Sequence, residues 1–149
     1  MLALGRQKSG PEAKLVSDYL SRFDAAGRAL GLGPANLAEL EDKKKRGESA
    51  LLMEAAPEGA VRIALDERGQ TMTSRAFADL LAKKRDEGWR DMAFMIGGAD
   101  GHSEALRASA DRLISFGPMV WPHMLARVML SEQLYRAVSI LSGAPYHRD

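Results

Sequence analysis

The feature that most constrains this chain is the alternation of short apolar runs, each ending near glycine or proline, with longer stretches whose apolar residues recur at helical spacing. Met1-Leu2-Ala3-Leu4 before Gly5 reads as a strand, with Gly5 to Gly10 as the loop after it. Pro11 suits the first turn of a helix, where its missing N–H is no loss, and Leu15, Val16, Tyr19, Leu20 and Phe23 follow on one inward face. Gly31, Gly33 and Pro34 break that helix, and Leu32 to Leu40 predicts a weak second strand, since its alanines and Asn36 are poor strand formers. A helix from Glu48 to Ala56 ends at Pro57 and Gly59, and Val61 to Asp66 alternates as a strand running out to Gly69. Thr73 or Ser74 caps the next helix, with Phe77, Leu80 and Leu81 facing the core and Lys83-Lys84-Arg85 facing out. The strand Met92 to Ile96, a turn and helix, the strand Leu113 to Phe116 and one long helical run from His123 complete the order. Strands alternating with helices predict an α/β fold in one domain over residues 1–149, a mainly parallel sheet with helices on both faces.

A chain of 149 residues, 46% hydrophobic and 28% charged, can bury a sizeable core. Having no cysteine, it can form no disulfide, thiolate nucleophile or Cys-based zinc site, and its histidines are His102, His123 and His147. A net charge of +1 makes no global case for nucleic acid, so any such contact rests on local placement of Lys and Arg. Lys43-Lys44-Lys45-Arg46 could meet phosphate but reads first as a solvated loop. No apolar run approaches the roughly 20 residues of a membrane-spanning helix, and no signal-peptide pattern opens the chain. A cytoplasmic protein with no membrane partner is expected.

In parallel sheets ligands sit outside the carboxyl ends of the strands, which selects the loops after Leu65, Ile96 and Phe116. Gly97-Gly98-Ala99-Asp100-Gly101 lets backbone N–H groups come close to a ligand, as glycine at positive φ permits. It lacks the dinucleotide spacing, the strand after it ends without a ribose-binding acid, and the phosphate-loop pattern is missing. Phe116-Gly117-Pro118-Met119-Val120-Trp121 cannot continue a strand yet is too apolar for a solvated loop. It should wrap something apolar and flat, an adenine ring or a neighbouring subunit. His123 and Arg127 share one face of the last helix, and the pair Glu132 and Arg136 reads as simple helix support. Apolar residues around nearly the whole circumference of that helix predict burial on most sides, either at the centre of the monomer or, as a domain this small favours, at a subunit interface. After Pro145, the residues Tyr146, His147 and Arg148 supply a ring, a titratable imidazole and a phosphate-pairing guanidinium, although such a chain end is ordinarily frayed.

Leu65-Asp66 with Gly69, Ser74-Arg75-x-Phe77-Ala78, Ile96-Gly97-Gly98-Ala99-x-Gly101, Pro122-His123-x-Leu125-x-Arg127-Val128 through Glu132-Gln133-Leu134-Tyr135-Arg136-Ala137, and Pro145-Tyr146-His147-Arg148 occur in that order. From about residue 61 onward the chain resembles the RlmH-type ribosomal RNA large-subunit pseudouridine methyltransferases of the SPOUT class. Before that the likeness is weak, the first strand begins a few residues late, and Arg6 stands where the family has lysine. The resemblance implies methyl transfer from S-adenosylmethionine to ring nitrogen 3 of a pseudouridine in 23S rRNA of the assembled ribosome, with no DNA partner and no metal. It further implies a trefoil knot in the C-terminal part, an exception to the rule of unknotted chains. It places the cofactor against Leu65, Gly98 and the segment Phe116, Gly117, Pro118, Met119, Val120 and Trp121. A homodimer is implied, with the last helix at the interface and the tail of one chain completing the other's site.

The imide N–H of the base must lose its proton before it can attack, and a nearby cation lowers the energy of the resulting anion. His123, Tyr146, His147 and Arg148 are the candidates around the base, with Arg127 and Arg136 as cationic support or phosphate contacts. The rival from another class is a non-catalytic RNA-binding or ribosome-assembly module that keeps the fold. A flavodoxin-like nucleotide-binding protein would explain the order of elements but neither the apolar Gly-Pro segment nor the tail.

Overall fold

The computed structural model describes residues 1–7 and 9–148; Lys8, in the expected loop after the first strand, and Asp149, at the end of the expected tail, lie outside the described residues. The chain divides into two compact units.

The first unit, residues 1–7, 37–71 and 90–123, holds a five-stranded sheet. Its strands are β1 (Leu2–Leu4), β2 (Ala38–Leu40), β3 (Val61–Thr71), β4 (Met92–Ile96) and β5 (Arg112–Ser115), in the order β2-β1-β4-β3-β5. Every pairing is parallel. Parallel strands covered on both faces read as near-continuous apolar runs, which is why Leu2-Ala3-Leu4 and Ala93-Phe94-Met95-Ile96 are buried throughout. Two helices belong here, α2 (Glu48–Ala55) and α4 (Glu104–Ser109). Leu52 and Leu106, both fully buried, join Leu2, Leu4, Ala64 and Met95 in one cluster. Each buried leucine stabilises by about 1.5–3 kcal/mol, so this cluster ties both helices to the sheet.

β3 departs from expectation, because there is no loop after Leu65. The strand continues to Thr71 with a shift of register, so that Leu65 and Gln70 both lie opposite Ile114 of β5. Residues 66–69 form a bulge inside the strand. Gly69 makes the return possible: a Cβ there would lie 2.6 Å from the backbone of Ile114, closer than any side chain tolerates.

The second unit, residues 9–36, 72–89 and 124–148, is helical. It contains α1 (Pro11–Gly27) with a 3-10 turn at Arg28–Leu30, α3 (Ser74–Asp86), and α5 (His123–Leu141) from Met124 onward. The hydroxyl of Ser74 donates to Gln133 Oε1 at 2.8 Å, joining α3 to α5, and Arg85 Nη1 donates to the carbonyl of Leu30 at 2.8 Å. Thr73, rather than Ser74, caps α3 by accepting from the N–H of Ala76 at 3.1 Å. Leu15, expected inside, is 43% exposed, while Val16, Leu20 and Phe23 are buried. In α5 the polar residues Arg127, Ser131 and Ser139 are buried while Leu125 is 39% exposed. Both serine hydroxyls donate to carbonyls one turn earlier in their own helix, which removes the penalty of burying them. Among the described residues no helix is long and apolar enough to cross a membrane.

Candidate functional site

In a parallel sheet all carboxyl ends lie on one edge, and β4, β3 and β5 are neighbours in that order. Leu65 is paired with both Ile96 and Ile114. The bulge after Leu65, the glycine turn after Ile96 and the segment after Ser115 therefore leave the sheet side by side. Three of the sequence-predicted cofactor elements are thus brought together, all within the first unit.

The glycine turn is tight: the N–H of Gly101 donates to the carbonyl of Gly98 at 3.2 Å, and Gly101 has φ +68°. Positive φ is thus required at Gly101, whereas Gly98 matters through space. A Cβ on Gly98 would come within 2.5 Å of Oε2 of Glu48, the first residue of α2. Beyond β5, Ser115 Oγ accepts from the N–H of Gly117 at 3.1 Å and bends the chain off the sheet. Met119, Val120 and Trp121 are then 69%, 88% and 39% exposed, an apolar stretch that the described residues leave partly uncovered. His123, at the start of α5, is half-buried. Backbone donors and acceptors, a side-chain-free turn and adjacent apolar surface fit a ligand with a flat, weakly polar ring such as adenosine.

Behind the turn lies a cluster that sequence reasoning missed. His102 is 5% exposed, next to the carbonyls of Leu65 and Met95, and its ring would be 3.3 Å from a Cβ on Gly97. Burial pushes the His102 imidazole below its usual range, opposed by the charge of Asp66. Asp66 accepts from the N–H of Arg68 at 2.9 Å and lies 3.8 Å from Arg107 Nη1, while Arg107 also donates to the carbonyl of His102. The available signal was position: a histidine directly after a strand-end glycine turn.

The tail residues lie in the second unit, where they are docked rather than frayed. Tyr146 donates its hydroxyl to Glu132 Oε1 at 3.0 Å and packs its ring on that of Tyr135, 4.7 Å between centroids. Arg136 donates to the same Glu132 oxygen from Nη2 at 2.6 Å, lies 4.9 Å from the Tyr146 ring centroid, and has Nη1 3.3 Å from His147 Nδ1. Burial, with hydrogen bonding to Tyr19 and Glu132, raises the Tyr146 hydroxyl far above the usual tyrosine range, so it stays neutral. The hydrogen bond to Glu132 orients the Arg136 guanidinium and raises its pKa further above its usual value. Glu132 and Arg136, read as helix support, in fact anchor the tail. Arg148 is exposed. Arg127 is fully buried, so the expected surface contact of its guanidinium with phosphate does not match its place inside the protein.

The sheet is all parallel, with a glycine turn and an exposed apolar segment at its carboxyl edge, as in α/β proteins that bind ligands at that edge. The chain belongs to the SPOUT methyltransferase family: the family model described as "Predicted SPOUT methyltransferase" matches residues 1–147. It is 61% identical over 151 residues to "Ribosomal RNA large subunit methyltransferase H" of Dinoroseobacter shibae, covering 99% of this chain and 97% of that protein. Proteins of the same name from Ruegeria pomeroyi, 61% identical over 151 residues, and Roseobacter denitrificans, 59% over 152 residues, are covered to 97% of their lengths.

Proposed function

We propose that this chain transfers a methyl group from S-adenosylmethionine to large-subunit ribosomal RNA, at ring nitrogen 3 of a pseudouridine in 23S rRNA of the assembled ribosome. The observation that carries this reading is 61% identity spanning 97% of a relative named as a large-subunit ribosomal RNA methyltransferase. When bound, S-adenosylmethionine supplies a sulfonium methyl electrophilic enough to need only in-line positioning and a nucleophilic nitrogen. Leu65, Gly98 and residues 116–121 would hold it through main chain and apolar contacts.

The tail residues act on the base. The Tyr146 ring offers a stacking surface, and the Arg136 guanidinium, always charged and oriented by Glu132, lowers the energy of the imide anion. A neutral histidine, His123 or His147, or a carboxylate would accept the proton, and Arg148, being exposed, would meet phosphate. The working form is a homodimer in the cytoplasm, closed by α5, with the tail of one chain completing the site of the other. Supporting this, Met119, Val120, Trp121 and Leu125 are exposed large hydrophobics close together in sequence. Calorimetry with S-adenosylhomocysteine and methyl transfer to ribosomes lacking the modification test the reading; a folded protein that binds ribosomes but neither binds the cofactor product nor methylates is an RNA-binding module instead. Sedimentation tests the dimer: a monomer at micromolar concentration removes both the interface and any shared site.

A further inference from the structure

We propose that Glu48 is a further cofactor-binding residue, whose carboxylate over the Gly97-Gly98 turn favours positively charged S-adenosylmethionine over its neutral product S-adenosylhomocysteine. This rests on the reading of that turn as the cofactor site. Both oxygens of Glu48 approach the turn, at 2.5 and 3.2 Å from where a Cβ on Gly98 would be. The residue is exposed, and among the described residues its carboxylate makes no hydrogen bond or ion pair.

The placement is built from both sides. Before Glu48, the Asp42 carboxylate accepts from the N–H groups of Arg46 at 2.9 Å and Gly47 at 2.7 Å, closing the loop into α2 and pulling Asp42 below the usual carboxylate range. After it, the hydroxyl of buried Ser49 accepts from the N–H of Ser103 at 2.8 Å, which ties the first turn of α2 to the chain leaving the glycine turn. Leu52, one turn on, is fully buried in the core of the same unit. The backbone that carries Glu48 is thus fixed beside the turn, while the end of its side chain stays exposed and free to adjust to a ligand.

S-adenosylmethionine carries one more positive charge than S-adenosylhomocysteine, on the sulfonium. Were the sulfonium to lie near the turn, its attraction to the Glu48 carboxylate, weakened by the exposure of that side chain, would give a preference of about tenfold. Such a preference helps turnover, because the product is neutral and leaves more readily than the substrate. The alternative is that Glu48 serves only the positive end of α2, which would affect stability and leave ligand discrimination untouched.

The test measures the affinity of both compounds by calorimetry in the full chain, in Glu48→Gln, which keeps shape and removes charge, and in Glu48→Ala, with thermal unfolding of each protein. In both variants S-adenosylmethionine should weaken about tenfold while S-adenosylhomocysteine stays within about twofold, and in the unsubstituted protein added salt should narrow the gap between the two. Equal losses for both compounds in Glu48→Gln, or no loss for either, overturn the proposal while leaving the cofactor site intact. Failure of the unsubstituted protein to bind either compound overturns the cofactor reading itself, and this inference with it.

Discussion

The carboxyl end of the sheet and the docked tail are built by opposite means. At the sheet end, the parts that would face a ligand are, apart from the Glu48 carboxylate, main chain, glycine and exposed apolar side chains, and the cluster of Asp66, neutral His102 and Arg107 lies behind the turn. In the tail cluster nearly every contact is between side chains, with one oxygen of Glu132 accepting from both Tyr146 and Arg136. Main chain can hold a nucleoside in place but has no titratable group with which to take a proton from a base. On the function proposed above, the difference is a division of labour: the sheet end would recognise the cofactor, and the tail would supply charge and hydrogen bonding to the reacting base.

That division can be broken most sharply at the tail. Deleting residues 146–149 removes no helix or strand among the described residues, so the proposed dimerisation and S-adenosylhomocysteine affinity should stay within about threefold while methyl transfer to ribosomes falls about a thousandfold or more. Full activity in the shortened protein would show that the tail takes no part. The reciprocal change is Gly98→Val. Its nearest obstacle, the end of the flexible Glu48 side chain, can swing away, so the protein should fold, but the added methyls occupy the cradle. Affinity for S-adenosylhomocysteine should drop about a hundredfold, and unchanged affinity in a folded variant would remove the turn from the cofactor site.

How far these two regions could be read from sequence differs for a physical reason. Alternation of strand and helix, and the loops that a parallel sheet presents at one edge, follow from local pattern, and the strands and helices stand close to where that pattern puts them. The bulge after Leu65 does not, because it depends on backbone clearance between Gly69 and a strand about 45 residues away. Nor does the inside of α5: apolar residues surround the helix, yet Arg127 and Ser131 are buried and Leu125 is not, which periodicity cannot decide. The tail residues were singled out by their chemistry and by family resemblance, whereas their anchor Glu132 looked like an ordinary partner at helical spacing. Glu48 escaped notice because its nearness to Gly98 joins segments 50 residues apart.

A smaller effect should follow from Glu132→Gln, which keeps the side chain's shape and one acceptor but removes the charge shared by Arg136 and Tyr146. With its partner neutralised, Arg136 is held less firmly and the tail loosens without being lost. Methyl transfer should fall about tenfold to a hundredfold, with S-adenosylhomocysteine affinity unchanged. An equal loss of cofactor affinity would mean that the two regions do not divide the work as described. Because Glu132→Gln leaves the Tyr135 and Tyr146 ring contact in place, its effect should remain well short of deletion.

The smallest expected effect concerns His102, and it is one of stability. Burial lowers the folded-state pKa of the imidazole below its ordinary value of 6.5, so the unfolded chain takes up a proton more readily than the folded protein. The contribution of a neutral His102 is therefore fully present above about pH 6.5 and is lost as pH falls from there toward the folded-state value. Asp66, whose charge favours the imidazolium, narrows that loss, and Arg107 widens it slightly. His102→Leu replaces the ring with an apolar side chain that cannot titrate, and should flatten the fall in urea midpoint between pH 7.5 and 5.5 while leaving the unfolding free energy at pH 7.5 within about 1 kcal/mol of the original. Methyl transfer at neutral pH should change by less than about threefold, because the ring supports the turn from behind and does not touch the base. A pH profile of stability identical in the two proteins would show that His102 is not held neutral in the fold, and a large loss of cofactor binding at pH 7.5 would move it from support of the glycine turn into the binding surface itself.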